Sequence, residues 1–267
     1  MMFCKRIHTY LNSIRYTLLV MLLLGTLVSA CSKGNGTEPS PEPDVPTNDS
    51  IFNRLIVVKN FGELIPVGAE PTTPQSPIYY SLETNSAITA DYQRTSRWDM
   101  SFADIYRSNI NCNNTRAGGG VGGPGKGGIL LLEQAFEDVV DIPADNLFKT
   151  GDKPYGLDIN GALGEDIGWV LYDFSGSLVR DGAYDNAHIA YPLDKPLTIK
   201  LENGQLKTVP ARTLVIRTAK GNYAKLKVTS FYRDKLDRDS WRRNDAKPFF
   251  SFEYVLAKAG SSKFEIK

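Results

Sequence analysis

The run TLVIRTAKGNYAKLKVTSFY, residues 213–232, decides the fold. It opens on a short apolar stretch of strand length, and further on Ala224, Leu226 and Val228 alternate with polar side chains. A period of two places alternate side chains on one face of a strand. Gly221 lies between the two halves and suits a tight turn, so the run predicts a β-hairpin.

Two further segments carry strand signals. The stretches LTIKL (197–201) and QLKTV (205–209) flank an Asn-Gly pair, which is the strongest short-range cue for a hairpin. The stretch PFFSFEYVLA (248–257) is typical of a long closing strand. Both predict antiparallel pairing near the carboxyl end of the chain.

A third strand signal lies upstream, in RWDMSF (97–102), where Trp98, Met100 and Phe102 alternate and are expected to share one face. Helical periodicity is scarce, and IPADNLF (142–148) indicates a single turn at most. The connections are long and rich in Gly and Pro. We therefore predict an all-β chain, a mainly antiparallel two-sheet β-sandwich-like domain with long loops.

The amino-terminal residues have the features of an export signal. Basic residues are followed by the apolar stretch TLLVMLLLGTL (17–27), which is shorter than a comfortable membrane span. LVSAC (27–31) resembles a bacterial lipobox, because small residues precede Cys31. It predicts cleavage before Cys31 and lipidation of that residue. The alternative is an ordinary secretory signal in which the cysteine is incidental.

Residues 32–50, SKGNGTEPSPEPDVPTNDS, contain almost no apolar side chain. Such a segment cannot bury enough surface to fold, so it is expected to act as a tether. More than one acyl chain on Cys31 would anchor the protein stably. The predicted organisation is a lipoprotein signal peptide (1–30), a lipidated cysteine with a disordered tether (31–50), a single β domain (51–258) and a C-terminal tail (259–267).

Composition excludes several classes of function. Removal of the three basic residues of the signal lowers the formal charge from +1 to about −2, so nothing favours nucleic acid as a partner. Cys112 is the one cysteine left for the folded domain, which excludes an internal disulfide. His188 is the one histidine left, which argues against a Ser-His-Asp set or a hydrolytic metal centre. The protein is therefore not expected to be an enzyme.

The glycine-rich run RAGGGVGGPGKGG (116–128) raises the question of a phosphate-binding loop. From Gly120 onward the Walker A spacing is met by Gly125 and Lys126, but Gly127 stands where a hydroxyl should bind Mg²⁺. No strand–loop–helix unit surrounds the run. We therefore predict a mobile surface loop whose glycines adopt positive φ angles.

Five segments, in order, resemble the HmuY-like haem-binding lipoproteins. These are RWDMSF (97–102), the pair Asn111-Cys112, GPGKGG (123–128), the hairpin run VIRTAKGNYAKLKVTSFY (215–232) with its R-x-x-x-G-x-x-A-K pattern, and PFFSFEYV (248–255). The lipobox and the tether match that family's architecture as well. The resemblance implies an all-β domain attached to the outer membrane at the cell surface by its lipid anchor alone. It further implies capture of haem, or a related tetrapyrrole, and transfer to a TonB-dependent outer-membrane receptor.

Haem iron is held in proteins by His, Met, Cys or Tyr. The family's best-known pattern uses two histidines, which one molecule of the mature chain cannot supply. His188 is therefore the main candidate for an axial, metal-binding ligand. Met100 is a second candidate, although its strand face suits core packing. Tyr184 and Tyr191 flank His188 and are candidates to line the porphyrin or to bind iron as phenolates, with simple packing as the alternative.

Other residues are weaker candidates. Cys112 is a thiolate candidate, but its position favours a small buried side chain. Arg116 and Lys126 are candidates to pair with propionates, with solvated charges as the alternative. The charged stretch RDKLDRDSWRRNDAK (233–247) joins two predicted strands, and its Trp241 is a candidate receptor contact in what is otherwise a solvated loop.

Two functional hypotheses of different class remain open from the sequence. The first is a haem carrier, with an apolar site and one or two iron ligands. The second is a surface-tethered β-sandwich that binds a glycan or a protein partner without haem. The absence of a second histidine in the mature chain favours the second hypothesis more than it would for a typical relative.

Overall fold

The chain is built from strands and long connections. The computed structural model describes residues 49–65, 72–114, 123–150 and 154–267. In these ranges the strands are β1 (Leu55–Gly62), β2 (Gln75–Ser81), β3 (Ser86–Ile88), β4 (Met100–Asp104), β5 (Asn109–Cys112), β6 (Gly128–Leu132), β7 (Val170–Asp173), β8 (Ile189–Pro192), β9 (Leu197–Lys200), β10 (Leu206–Val209), β11 (Thr213–Arg217), β12 (Tyr223–Ser230) and β13 (Phe249–Ala257).

Helical structure in the described residues is limited to single 3₁₀ turns of three residues. The turn predicted within IPADNLF is one of them. No helix of this part of the chain has the length and apolar character needed to cross a membrane. The turns are Asp49–Ile51, Ala90–Tyr92, Ile105–Arg107, Asp145–Leu147, Tyr184–Asn186 and Arg238–Ser240.

The larger sheet has five antiparallel strands in the order β1-β13-β12-β11-β6. The hairpin predicted from residues 213–232 is confirmed, since Leu214 pairs with Leu226 and Ile216 with Ala224. The predicted closing strand, β13, lies between β1 and β12. Its central place explains why nearly all of its side chains are buried.

The second sheet has four antiparallel strands in the order β3-β2-β4-β5. Two further hairpins, β9–β10 and β7–β8, stand as two-stranded sheets. The first is the predicted Asn-Gly hairpin, and Gly204 takes a φ of +82° at its turn. Residues with a side chain rarely adopt that φ angle, which is why glycine follows Asn203 there.

Aromatic side chains fill the space between the two large sheets. Phe102 of β4 stacks on Phe250 of β13 with ring centroids 4.1 Å apart and an interplanar angle of 22°. Stacked and edge-to-face aromatic pairs add to the area that they bury. The two-sheet, β-sandwich-like prediction is thereby confirmed. Rings of the same cluster belong to Phe61, Tyr80, Trp169, Phe231 and Phe252.

The predicted alternation across RWDMSF is only partly right. Met100 and Phe102 lie in the main core. Trp98, however, precedes the strand, which begins at Met100. Its ring packs on Tyr79, with centroids 4.8 Å apart, and its indole N–H donates to the carbonyl of Gln93. Because it lies outside the ladder, the period of two does not apply to it.

The carboxylate of Asp99 joins three segments of the chain in the interior. One oxygen accepts from the main-chain N–H groups of Leu82 (2.7 Å) and Glu83 (3.3 Å), after β2. The other accepts from the N–H of Ala219 (2.9 Å), in the turn between β11 and β12. Glu83 is buried beside it and accepts from the Thr218 hydroxyl at 2.6 Å. Asp99 therefore holds the smaller sheet against the turn of the β11–β12 hairpin, the central hairpin of the fold.

The described part of the glycine run is packed, and the prediction of a mobile loop is wrong there. Asn113 is fully buried, and its side-chain oxygen accepts from the N–H of Gly125 at 3.0 Å. A Cβ atom on Gly123 would lie 1.9 Å from that oxygen, and one on Gly127 would lie 2.3 Å from the Asn113 carbonyl oxygen. Neither glycine has a positive φ. Glycine is required here for close approach.

The outer face of the five-stranded sheet is covered as well. Lys225 is buried, and its ammonium donates to the carbonyl oxygens of Phe136 (2.9 Å) and Val139 (2.8 Å). Burial lowers the pKa of Lys225. Phe264 packs in the same small cluster as Val139. The residues after β13 therefore pack against the sheet.

Replacement of Gly127 by Ala tests the packing of the glycine segment. Because the new Cβ would collide with the main chain of Asn113, we expect a loss of about 1–3 kcal/mol in the free energy of unfolding. Urea denaturation followed by tryptophan fluorescence measures it. The control is Lys126→Ala at the neighbouring exposed position, which should change stability by less than about 0.5 kcal/mol. Equal stability of the two variants would contradict the packing.

A second prediction concerns Asp99. Burial, reinforced by the charge of Glu83, raises the pKa of Asp99 from 3.8 to about 7, against the opposing effect of its hydrogen bonds from main-chain N–H groups. The folded state therefore holds an extra proton between these two values. As a result, the contribution of Asp99 to the free energy of unfolding is present at low pH and is lost as the pH rises through this window.

Urea denaturation at a series of pH values between about 4 and 8 measures that loss. We expect Asp99→Asn to be less stable overall, because one acceptor is lost, but to show a weaker decline of stability with pH. Glu83→Gln should move the decline to lower pH, because it removes the neighbouring negative charge. A decline of the same size and position in all three proteins would show that Asp99 does not titrate in this range.

Candidate functional site

The β7–β8 hairpin presents the candidate site. Its long connection, residues 174–188, is folded back on itself and fixed at its base. The buried carboxylate of Asp173 accepts from the N–H groups of Gly176 (2.7 Å) and Val179 (3.1 Å). Gly176, with a φ of +75°, approaches the main chain of Asn186 closely. The connection is therefore a built structure.

His188 is the last residue before β8, and its main chain is in the left-handed region, with a φ of +57°. Its N–H donates to the carbonyl of Phe174 at 3.2 Å. Residues in this sparsely populated region persist where the surroundings fix them, and they concentrate at functional sites. The backbone constraint sets the direction in which the imidazole leaves the hairpin.

The imidazole of His188 is held by a chain of hydroxyl groups. Its Nδ1 lies 2.7 Å from the hydroxyl of Tyr172, which in turn lies 3.2 Å from the hydroxyl of Tyr106. Nε2 has no hydrogen-bond partner within the described ranges. In the tautomer in which Nδ1 donates to Tyr172, Nε2 carries the free lone pair. This arrangement is the one that metal-binding histidines use.

The electrostatic surroundings keep His188 neutral. Partial burial lowers its pKa below 6.5, and the positive charges of Arg243 and Lys247 lower it further. At neutral pH the side chain is therefore unprotonated. A neutral imidazole is the form that binds a metal ion.

Two exposed aromatic rings belong to the same connection. Phe174 meets the His188 ring edge to face at a centroid distance of 4.6 Å, yet 56% of its surface is exposed. Tyr184 is 67% exposed and lies under the guanidinium of Arg243, 4.3 Å from ring centroid to guanidinium carbon. Large exposed rings beside a half-buried histidine form a surface suited to a flat, apolar ligand.

The charged stretch 233–247 packs against the hairpin, so the prediction of a solvated loop is wrong for much of it. The N–H of Arg243 donates to the carbonyl of Asp185 at 2.9 Å. Arg180, from the hairpin, donates to the carbonyl of Trp241 at 2.7 Å. Trp241 itself is fully buried against Tyr191 and Tyr232. In this conformation Trp241 is not available to a receptor.

The remaining candidate ligands lie elsewhere or in the interior. Met100 is fully buried in β4, opposite Tyr80 and Cys112. Tyr191 is buried in β8, and burial raises its pKa to about 12, which disfavours the phenolate. Of the four residues predicted to contact the ligand, the structure therefore brings only His188 and Tyr184 to the surface of the hairpin.

The weaker candidates fare similarly. Cys112 is buried, and burial raises its pKa to about 11, so it is a thiol at neutral pH. Lys126 is exposed, and its main chain bonds Ala219 and Arg217. Arg116 and Cys31 lie outside the described residues. Among the residues that the structure describes, no three His, Cys, Asp or Glu side chains form a metal-binding group.

A separate cleft of about 320 Å³ lies between the β4–β5 turn and residues 154–167. Its walls include apolar side chains such as Leu163 and Ile167. Its charges are three carboxylates, Asp104, Glu165 and Asp166, against a single Lys149. Lys149 is already engaged with Asp166, 3.9 Å away. This negative balance makes the cleft a poor match for an anionic ligand, in contrast to the surface around His188.

Sequence reasoning missed four residues of the site: Tyr172, Phe174, Arg243 and Lys247. The turn signals after the strand that carries Tyr172, Ser175-Gly176 and Asp181-Gly182, are spread over the long connection 174–188 and do not identify β8 as its partner. Arg243 and Lys247 are far from His188 in the chain, and only the packing of the 233–247 segment brings them near. The continuous apolar run WVLY (169–172) was the available signal, and it indicates a strand but not its partner.

The chain matches one family model, described as HmuY protein, over residues 75–254. The match covers more than half of the chain and includes every segment on which the resemblance was based except the last residue of PFFSFEYV. It includes the β7–β8 hairpin and the 233–247 segment. No curated protein matches the chain.

Solved structures from three organisms are similar at low identity. An apo HmuY analog of Tannerella forsythia is 14% identical, with a TM-score of 0.32, and the match covers 77% of this chain and 97% of that one. A protein of Bacteroides vulgatus described as HmuY-like and haem-binding is 12% identical, with a TM-score of 0.30 and coverages of 72% and 97%. A protein of Bacteroides fragilis described as a lipoprotein is 13% identical, with a TM-score of 0.28 and coverages of 76% and 89%. At these scores the superpositions support no conclusion about function.

Proposed function

The chain belongs to the HmuY protein family, and on that premise we propose that it binds haem or a related tetrapyrrole through the surface around His188. The proposal gives the protein the role of a carrier. It assigns no catalytic step to any residue. The ligand lies against the β7–β8 hairpin, with iron bound by the imidazole.

The orientation of His188 is the observation that carries this proposal. Its Nδ1 is occupied by the Tyr172 hydroxyl at 2.7 Å, and the lowered pKa keeps the ring neutral. In the tautomer in which Nδ1 donates to Tyr172, Nε2 is free to bind iron. Haem proteins use such a histidine as an axial ligand, and the group behind the ring sets its tautomer and basicity.

The exposed rings supply the second requirement of a tetrapyrrole site. Phe174 offers an exposed ring against the imidazole, and Tyr184 offers a second exposed ring on the same connection. Contact with a macrocycle would remove that surface from water, at a gain of about 25 cal/mol per Å². Burial of these exposed rings would therefore favour binding of a macrocycle to this face of the hairpin.

The proposed carrier acts at the cell surface. Lipidation of Cys31 and a polar tether of residues 32–50 would hold the domain at the outer membrane, on the cell surface. The tetrapyrrole would pass from this surface-exposed site to a TonB-dependent receptor. A site on an exposed hairpin suits such transfer, because Phe174 and Tyr184 are open to solvent.

A hemin titration followed by visible absorption tests the proposal. We expect a saturable, sharpened Soret band with the wild-type protein. His188→Asn should shift the band and weaken affinity by at least about tenfold, because the iron ligand is lost. Asn is the appropriate replacement, since it tolerates the left-handed main chain at this position.

Controls separate ligation from folding. Circular dichroism should give the same melting temperature for His188→Asn and wild type within a few degrees. Met100→Leu, a volume-conserving change in the core, should leave the band unaltered. An unchanged Soret band in His188→Asn would show that another residue binds the iron, and Tyr184 would be the first candidate. The lack of any saturable band would favour the glycan- or protein-binding alternative, for which the exposed rings are also suited.

A further inference from the structure

The site carries two cations that the axial ligand does not require. Resting on the proposed function, we infer that Arg243 and Lys247 recognise the ionised carboxylates of the bound tetrapyrrole. This cation pair, as we call Arg243 and Lys247, makes the site selective for macrocycles with free carboxylate side chains. Neutral porphyrins of the same shape would bind more weakly.

Arg243 is positioned by contacts that leave its guanidinium unpaired. Its main-chain N–H is bonded to Asp185, which fixes the residue against the hairpin. Its guanidinium lies 4.3 Å from the centre of the Tyr184 ring. Within the described residues it makes no ion pair. A guanidinium stacked on a ring keeps its edge available for a bidentate bond to a carboxylate.

Lys247 is placed by similar means. Its ammonium donates to the carbonyl of Arg243 at 2.6 Å and lies 5.5 Å from the centre of the Tyr232 ring. It too has no carboxylate within ion-pair distance in the described ranges. Its pKa is lowered to about 8, chiefly by burial, with Arg243 adding to the effect and Asp245 opposing it. At neutral pH most of the ammonium groups remain charged.

The cation pair contrasts with the buried arginines of this protein. The guanidinium of Arg107 meets the carboxylate of Glu63 at 3.1 Å, that of Arg212 meets Glu133 at 2.9 Å, and that of Arg238 meets Asp194 at 2.8 Å. Each of these buried arginines is therefore paired with a carboxylate. Partly buried cations are stabilised by a counter-charge.

Asp245, which lies between Arg243 and Lys247 in the sequence, is otherwise engaged. Asp245 binds the ammonium of Lys235 at 2.6 Å and accepts from the N–H of Arg242 at 2.7 Å.

Arg243 stacks on Tyr184 and bonds the carbonyl of Asp185, and both of these residues belong to the connection that ends at His188. Lys247 bonds the carbonyl of Arg243, so these contacts place the cation pair against the same connection.

Iron-free protoporphyrin IX and its dimethyl ester are the probes that test this inference. Both have the same ring, but the ester carries no charge, and neither contains iron. Binding to the full-length protein, in one detergent at a fixed concentration, is followed by porphyrin fluorescence. Arg243→Gln and Lys247→Gln should each weaken binding of the free acid by about fivefold and leave ester binding unchanged.

Arg242→Gln is the matched control, because it removes the same charge one residue away. The side chain of Arg242 is exposed and bonds the carbonyl oxygens of Asp239 and Trp241. We expect it to bind both probes as wild type does. Arg243→Lys, which keeps the charge, should retain most of the preference for the free acid.

Four outcomes would overturn the inference. If Arg242→Gln and Arg243→Gln weaken binding of the free acid equally, the effect is a general attraction of charge. Equal losses for acid and ester would indicate a packing role for the cation pair. No preference of the wild-type protein for the acid would exclude carboxylate recognition, while a hemin band that depends on His188 would leave the proposed function standing. Failure of hemin and both porphyrins to bind would remove both proposals.

Discussion

The fold depends on a single buried carboxylate. Asp99 accepts main-chain N–H groups from the end of β2 and from the turn that joins β11 to β12. A buried acceptor with several donors ties together segments that sequence separation would otherwise leave independent. The cost is the desolvation that raises the pKa of this carboxyl. The smaller sheet is thereby placed over the central hairpin, and the aromatic core closes between them.

The segments that carry the family resemblance lie where the smaller sheet meets the β11–β12 hairpin. RWDMSF contains Asp99, while GPGKGG wraps the side chain of Asn113, two residues beyond Asn111. In this protein these segments establish the fold. The residues that we propose to face a ligand lie instead on the β7–β8 hairpin and the 233–247 segment. A scaffold of this kind leaves the ligand-binding loops free to vary.

Much of the fold could be predicted from local pattern. The hairpins at Gly221 and Gly204 and the closing strand β13 followed from alternation and turn chemistry. The role of the glycine run could not be foreseen, since its requirement is the nearby Asn113 side chain rather than a φ angle. Burial of Lys225 was equally hidden, because alternation marks it as polar and does not show that another segment covers that face.

The candidate site was predicted in part. His188 and Tyr184 stood out from composition and from their place in the chain, and both lie on the exposed connection of the hairpin. Tyr172, Phe174 and Arg243 were not found, because long-range packing alone brings them near the imidazole. The exposure of Phe174 and the left-handed main chain of His188 have no signature in a single sequence.

The most direct measurement of the central claim is electron–nuclear double resonance on the hemin complex of protein labelled with ¹⁵N-histidine. The chain contains two histidines, so the His8→Gln variant leaves His188 as the one labelled residue. Our account predicts hyperfine coupling between the iron and a ¹⁵N nucleus, and its loss when His188 is also replaced by Asn. A bound hemin without such coupling would contradict the assignment of His188 as the iron ligand.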